Sequence, residues 1–468
     1  MIAMNALADF CSSRRLRRAL AIASFALAIG ACAVNPQIEP IPAAHAPPVV
    51  AAPVEEFSPE LATAEDREAA FDFAWHMIND RFYDPSFNGV DWEAIRLKYL
   101  PQLERVHNDA AFYSLLGRMA SELRDSHTRV YTPREYRNRL ESVTSTVGVR
   151  VAEVEGEIAI VEVVPDTPAA AEGLRPGMIV TAINGEDART RLARLTKEAP
   201  ADASPERRQR NIYGRMLGTR SSTSLRIAVA TAAGPREIML TRTEHESPPA
   251  LSYRLLSGNL GYVAFNRFRA ETAAQFGRAL VALSDTDGLV IDLRGNPGGS
   301  IGAMLTIAQS FFPDSRHVLT RRMRAVDPAL ESSGQASGRP SPDVRINANL
   351  RAYTRPLAIL VDGQSASSSE LLATVLHEQR DAHVVGRPSC GCVVAVRTSG
   401  YKLAGGGALY VAETGFVTPR GTRMEGAGLR PDTLVQLTLA DLRDGVDRDL
   451  LQAQHALLAQ MHRSAEVH

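Results

Sequence analysis

Three apolar runs, Leu260 to Phe265, Gly288 to Leu293 and Pro356 to Val361, each have the length of a buried strand, and helix-compatible stretches such as Ala270 to Leu283 lie between them. Strands alternating with helices bury their apolar faces as a layered α/β core. A helix is expected from about Ser368 to His377, and another closes the chain at about Asp441–Met461. Two of the runs end in turns suited to chemistry. In Asp292-Leu293-Arg294-Gly295-Asn296-Pro297-Gly298-Gly299 the glycines let backbone N–H groups converge, as an oxyanion hole requires. The same turn suits a phosphate loop, but the Lys-Ser/Thr of a nucleotide-binding loop is missing. In Asp362-Gly363-Gln364-Ser365-Ala366-Ser367-Ser368-Ser369-Glu370 a strand delivers serines to the start of a helix. The dipole and free N–H groups there favour a nucleophilic oxygen or an oxyanion. Helix capping is the plainer reading of that serine run.

With 468 residues and 45% apolar content, the chain is too long for one core and calls for two or three domains. Residues 61–140 show helical spacing, with Phe71, Trp75 and Ile78 on one face and Phe112, Leu115, Leu116 and Met119 on another. Residues 143–245 are rich in β-branched strand formers, and Asn184-Gly185 is a hairpin turn. Their stretch from Pro165-Asp166-Thr167-Pro168 through Glu172-Gly173-Leu174 to Ile183-Asn184-Gly185 resembles a bacterial protease-type PDZ domain. Such a domain takes an extended chain end as an added strand. Residues 250–468 form the α/β part. The expected class is therefore multi-domain α/β: a helical domain, a β-rich PDZ-like domain and an α/β core.

The N-terminus reads as a targeting segment over residues 1–32. Arg14, Arg15, Arg17 and Arg18 precede a short apolar run, Ala19 to Ala31. Ile29-Gly30-Ala31-Cys32 resembles a bacterial lipobox, which implies lipidation of Cys32 and a periplasmic, membrane-anchored protein, with the outer membrane as the expected side. The competing reading is an ordinary secretory signal with an incidental cysteine. Residues 33–60 are Pro- and Ala-rich, the composition of an extended spacer.

Net charge is −1, from 52 basic and 53 acidic residues, which disfavours nucleic-acid binding. Only Cys390 and Cys392 of the four cysteines lie beyond the targeting segment, too few for a disulfide framework. The pair either closes a disulfide or stays as two small buried hydrophobes. No zinc-ligand spacing occurs and no cofactor is implied.

Taken together, Asp292 to Gly299, the serine turn and Gly426-Ala427-Gly428-Leu429-Arg430-Pro431-Asp432 resemble the S41-type, tail-processing and tricorn-like serine peptidases, from about residue 65 to the end. The resemblance implies a ClpP/crotonase-like core, Ser367 as nucleophile, and the N–H groups of Ser368 and of Gly298 or Gly299 as oxyanion donors. One branch of that family activates its serine with a lysine, but here that position holds Cys392. The three lysines, Lys98, Lys197 and Lys402, lie elsewhere. The tricorn-like branch uses His and Glu, which the resemblance places at His127, in Arg124-Asp125-Ser126-His127-Thr128, and at Glu425, with Glu413 in reserve and Ser126 as an auxiliary. His127 would take the Ser367 proton and Glu425 would stabilise the imidazolium. The implied function is hydrolysis of peptide bonds in protein or peptide substrates, with the PDZ-like domain taking chain ends. Two alternatives stand beside it: an inactive peptide-binding protein, as the missing lysine suggests, and an esterase or amidase with the same triad chemistry.

Overall fold

The computed structural model describes residues 61, 63–141, 143–199, 202, 204–218, 223–246, 250–324 and 342–466. Cys32, the targeting segment and the spacer of residues 33–60 lie outside them. At the centre is a six-stranded sheet in the order Leu251–Leu256, Leu260–Phe265, Gly288–Asp292, Leu357–Val361, His383–Gly386 and Thr433–Leu434. The first pair is antiparallel and the rest are parallel. Because successive side chains point to opposite faces, each central strand feeds two cores. Leu289, Ile291, Leu357, Ile359 and Val361 pack with Phe276, Met304, Leu372 and Val375 from the helices Ala270–Ala282, Ile301–Gln309 and Ser368–Arg380. Val290, Ala358 and Leu360 face Leu450, Ala453 and Leu457 of the Arg448–Glu466 helix. Every residue of Gly288–Asp292 and Leu357–Val361 is buried, which is why they read as unbroken apolar runs rather than alternating ones.

The mixed α/β class is as expected, and strand and helix bounds in the core fall within a few residues of the sequence reading. One element differs. The closing helix is two helices, Leu439–Asp444 and Arg448–Glu466, separated by Gly445 at φ 66°. A left-handed glycine ends the first helix where apolar spacing alone ran on.

The helices Ala64–Arg81, Trp92–Tyr99 and Asp109–Ser121 carry the expected Phe71, Trp75, Ile78, Phe112, Leu115, Leu116 and Met119 in one core. That core is completed from far along the chain, by Val394, Leu403, Leu409, Val411 and Ala412. Strand Arg129–Tyr131 pairs with Ala408–Tyr410, fixing the loop before it against the late part of the chain. In residues 143–246 the Val180–Ile183 and Glu186–Asp187 strands form the expected hairpin, with Asn184 and Gly185 at φ 52° and 81°. Two further helices, Ala188–Glu198 and Pro205–Met216, belong to this region. No helix among the described residues is long and apolar enough to cross a membrane.

Candidate active site

Two turns meet at the C-terminal ends of neighbouring parallel strands, the usual place for a site in an open α/β sheet. The turn after Gly288–Asp292 is stitched to the turn after Leu357–Val361 by the serines and by Asp362. Asp362 Oδ1 accepts the N–H groups of Gly295 and Ser365. Ser365 Oγ donates to Leu293 O, Ser368 Oγ to Gly299 O and Ser369 Oγ to Asn296 O, at 2.8, 2.9 and 2.9 Å. The serine run therefore joins two turns as well as opening a helix. From below, Arg294 fixes the glycine turn by pairing with Asp292, Asp447 and Asp449.

Ser367 is half-buried and holds φ 57° and ψ −118°, a conformation that costs a residue with a Cβ of order 1–3 kcal/mol. Its N–H donates to Glu370 Oε2 at 3.0 Å and to Cys392 O at 2.9 Å. Gly298 is pressed against it: a Cβ there would stand 2.8 Å from Ser367 Cβ and 2.9 Å from Ser368 N. The Gly298 N–H is taken by Asn296 Oδ1 at 2.9 Å. The N–H groups of Gly299 and of Ser368, at the first position of its helix, show no hydrogen bond among the described residues. They are the pair available to an oxyanion.

The early loop arrives beside this turn. Asp125 Oδ1 accepts the N–H groups of His127 and Thr128, both at 2.7 Å, and Thr128 Oγ1 accepts the Ala412 N–H. Glu425 Oε1 accepts the Ser126 N–H at 2.9 Å and its Oε2 accepts the Ser126 hydroxyl at 3.0 Å. Ser126 Oγ lies 2.5 Å from His127 Nδ1. Glu425 thus reaches His127 through Ser126 rather than directly. Glu425 also accepts the Val393 N–H, and the carbonyl of the adjoining Cys392 accepts the Ser367 N–H, so one peptide unit joins the two halves of the site. No hydrogen bond between the His127 ring and Ser367 is seen among the described residues. Glu413 lies apart from this set, where Tyr401 donates its hydroxyl to it.

Burial above all, and then the charges of Arg129, Arg207, Arg139 and Arg210, hold His127 down to about 3, so its ring is neutral at ordinary pH. Burial, with Asp125 second, pushes Glu425 up to about 7 against the hydrogen bonds from Val393 and Ser126. Cys390 and Cys392 form a disulfide with Cα atoms 5.2 Å apart, so the position matching the activating lysine of the other branch is occupied by a bonded Cys392. Lys98 pairs with Glu122 in the helical region. No group of three or more His, Cys, Asp or Glu able to hold a metal ion occurs among the described residues.

The sequence reading left Glu370 without a role. It accepts the N–H groups of Ser367, Gly391 and Cys392 and the Ser389 hydroxyl. Its signal was the Ser-x-x-Glu spacing of a capping box. Ser204 and Arg207 were also missed. They come from the β-rich region to bond Cys390 O and Asp125 O, and no local pattern announces so distant a contact.

The fold and these turns define a class, the serine-type peptidases, and the chain is a serine peptidase with a family S41-like core. Residues 259–435 match Peptidase family S41 and residues 63–121 match the Tricorn protease C1 domain. Among curated relatives, the carboxyl-terminal-processing protease of Synechocystis sp. is 27% identical over 424 residues, covering 87% of this chain and 91% of that one. Carboxyl-terminal-processing peptidase 3, chloroplastic, of Arabidopsis thaliana is 29% identical over 375 residues, covering 77% and 67%. Among solved structures, mature CPAF superposes with a TM-score of 0.65 at 14% identity, over 86% of this chain and 98% of that one. The photosystem II D1 C-terminal processing protease gives 0.50 at 22%, over 81% and 96%. At these identities the structural likeness speaks to the fold.

Proposed function

We propose that this chain hydrolyses peptide bonds of protein or peptide substrates at the cell envelope, with Ser367 as nucleophile, His127 as base and Glu425 as the acid that holds the base through Ser126. The observation that carries this is the chain of contacts from Glu425 through Ser126 Oγ to His127 Nδ1, built beside a strained serine and two unengaged N–H groups. In it Ser126 donates to Glu425 and accepts from His127 Nδ1–H, leaving Nε2 as the basic nitrogen. Nε2 takes the Ser367 proton as Oγ attacks the scissile carbonyl and returns it to the leaving amine. The N–H groups of Gly299 and Ser368 hold the oxyanion. His127 and Ser367 close to hydrogen-bond distance on substrate binding, since such contacts tighten in the occupied site.

The PDZ-like region of residues 143–245 captures chain ends and Cys32 carries the lipid anchor in this reading. The names of the processing-protease relatives support action near substrate C-termini.

The test is cleavage of an unfolded reporter protein, together with labelling by a serine-directed phosphonate. Wild type is expected to cleave and to label at Ser367, and Ser367→Ala to do neither. Cleavage that survives in Ser367→Ala overturns the assignment. A wild type that binds peptide but neither cleaves nor labels identifies an inactive peptide-binding protein, the reading favoured by Cys392 in place of the lysine of the other branch.

A further inference from the structure

The positive charges around His127 are short of partners. Arg207 is engaged, donating to Asp125 O at 3.1 Å and pairing with Asp202. Arg139 lies over the rings of Tyr131 and Tyr410, 5.5 and 4.6 Å from their centroids. The half-buried side chains of Arg129 and Arg267, in contrast, show no hydrogen bond or ion pair among the described residues. Arg210, also half-buried, hydrogen-bonds among the described residues only to the Cys392 sulfur, a weak acceptor, at 3.7 Å. Several arginines elsewhere in the molecule do face acids, as in Arg96–Asp72, Arg150–Glu162, Arg194–Glu186 and Arg236–Glu172. The net charge of −1 rules out a general excess of cations as the cause.

Each of the three borders the site. Arg129 follows His127 by two residues in the strand paired with Ala408–Tyr410. Arg210 touches Cys392, whose carbonyl holds the Ser367 N–H. Arg267 precedes Phe268, whose N–H donates to Gly298 O and whose carbonyl accepts the Ser300 N–H, so it flanks the glycine turn. Burial pulls Arg210 and Arg267 below the ordinary guanidinium value, with neighbouring arginines adding to the effect. Glu370 and Asp362 offset part of this at Arg210, but half-buried cations that crowd one another still raise the free energy of the site, and an anion placed among them relieves it.

We propose that the cleft beside Ser367 receives a peptide bearing carboxylate groups close to the scissile bond, with Arg129, Arg210 and Arg267 supplying the counter-charge. This rests on the peptidase reading above and names its substrate class. The same carboxylates would offset the arginine field that weakens His127 as a base, so an acidic substrate raises kcat as well as tightening binding.

The experiment uses the full chain and a set of fluorogenic peptides sharing one central sequence. Their flanking residues are Asp/Glu, Asn/Gln or Lys, each made with a free or an amidated C-terminus. Cleavage is measured on wild type, and binding on Ser367→Ala by fluorescence anisotropy. Acidic peptides are expected to bind about tenfold or more tighter than the amide set and to be cleaved with higher kcat, an advantage that shrinks in high salt. Arg267→Gln and Arg129→Gln are each expected to reduce the acidic-to-neutral ratio about tenfold, and Arg267→Lys to restore part of it. A preference that follows the free C-terminus alone identifies the chain's own end as the carboxylate source. Equal binding and equal cleavage of acidic and neutral peptides overturn the proposal and leave the peptidase standing. Tight acidic binding with no cleavage of any peptide supports the cleft and overturns the peptidase.

Discussion

Glu370 grips Ser367 by the backbone: the Ser367 N–H donates to Glu370 Oε2 at 3.0 Å, while the same buried carboxylate takes the N–H groups of Gly391 and Cys392. The strained φ of Ser367 is held by this carboxylate and by the Cys392 carbonyl. Glu370→Ala leaves buried N–H donors unpaired and is expected to destabilise by about 3 kcal/mol. Glu370→Gln keeps the shape but turns an NH₂ toward those donors, so phosphonate labelling should fall sharply even where a stable fold survives. A calorimetric melt and a labelling rate on both variants check this, and unchanged labelling in Glu370→Gln contradicts the role.

Ser126→Ala removes the link between Glu425 and His127 while leaving both groups in place. The expected loss is about 10²- to 10⁴-fold in kcat, with KM and melting temperature little changed, because the imidazole loses the partner that fixes its tautomer. A kcat within a few-fold of wild type means that Glu425 acts without the hydroxyl.

The pH profile should belong to Glu425 and not to the histidine. With His127 held down to about 3, its ring is neutral across the working range. Glu425, pushed up to about 7, must be ionised to accept from both Ser126 and Val393, so kcat/KM is expected to rise as pH rises through about 7. Stability runs the other way. The carboxyl is raised from 4.5 on folding, so the stability it contributes is full below 4.5 and is lost as pH rises through about 7. Glu425→Gln should flatten that slope in the melting temperature, measured between pH 5 and 8, and abolish the activity limb.

Gly298→Ala tests how closely the two turns must approach. Its Cβ would stand 2.7 Å from Ala366 O and 2.8 Å from Ser367 Cβ, at a φ of 94°. At Gly295, φ 69°, a Cβ meets nothing within 4 Å. Gly295→Ala is expected to cost roughly 1–2 kcal/mol from backbone strain alone and to keep phosphonate labelling. Gly298→Ala should abolish labelling. Equal behaviour of the two variants would mean the close approach is unimportant.

The double variant Cys390→Ser, Cys392→Ser should leave the melting temperature nearly unchanged, since a bond across one intervening residue closes almost no loop in the unfolded chain. Its effect is expected in kcat, because the Cys392 carbonyl holds the Ser367 N–H. A large drop in melting temperature with kcat preserved reverses that assignment.

The central sheet was legible because Gly288–Asp292 and Leu357–Val361 are buried on both faces, so their residues are apolar without interruption. The serine turn was legible as a strand running into a helix. Its neighbours were not. Ser204 and Arg207 reach the site from another region, and Glu370 looks on sequence like an ordinary cap. The small sheet Asp343–Ile346, Arg316–Arg322, Ala412–Val417 and Ala395–Val396 went unread, because its strands mix buried and exposed residues and carry no long apolar run. Sequence placed Glu425 against His127 directly. The resemblance had Ser126 as an auxiliary, but its place between the two comes from side-chain geometry, which spacing along a chain does not encode.

The Ser126 to Glu425 contact spans 299 positions, and the Arg294 clamp draws on Asp447 and Asp449 near the end of the chain. During synthesis, then, the early loop leaves the ribosome long before its carboxylate exists. The last helix must dock before the glycine turn is fixed. A polypeptide of this design cannot complete the contacts around Ser367 until its final residues have folded home.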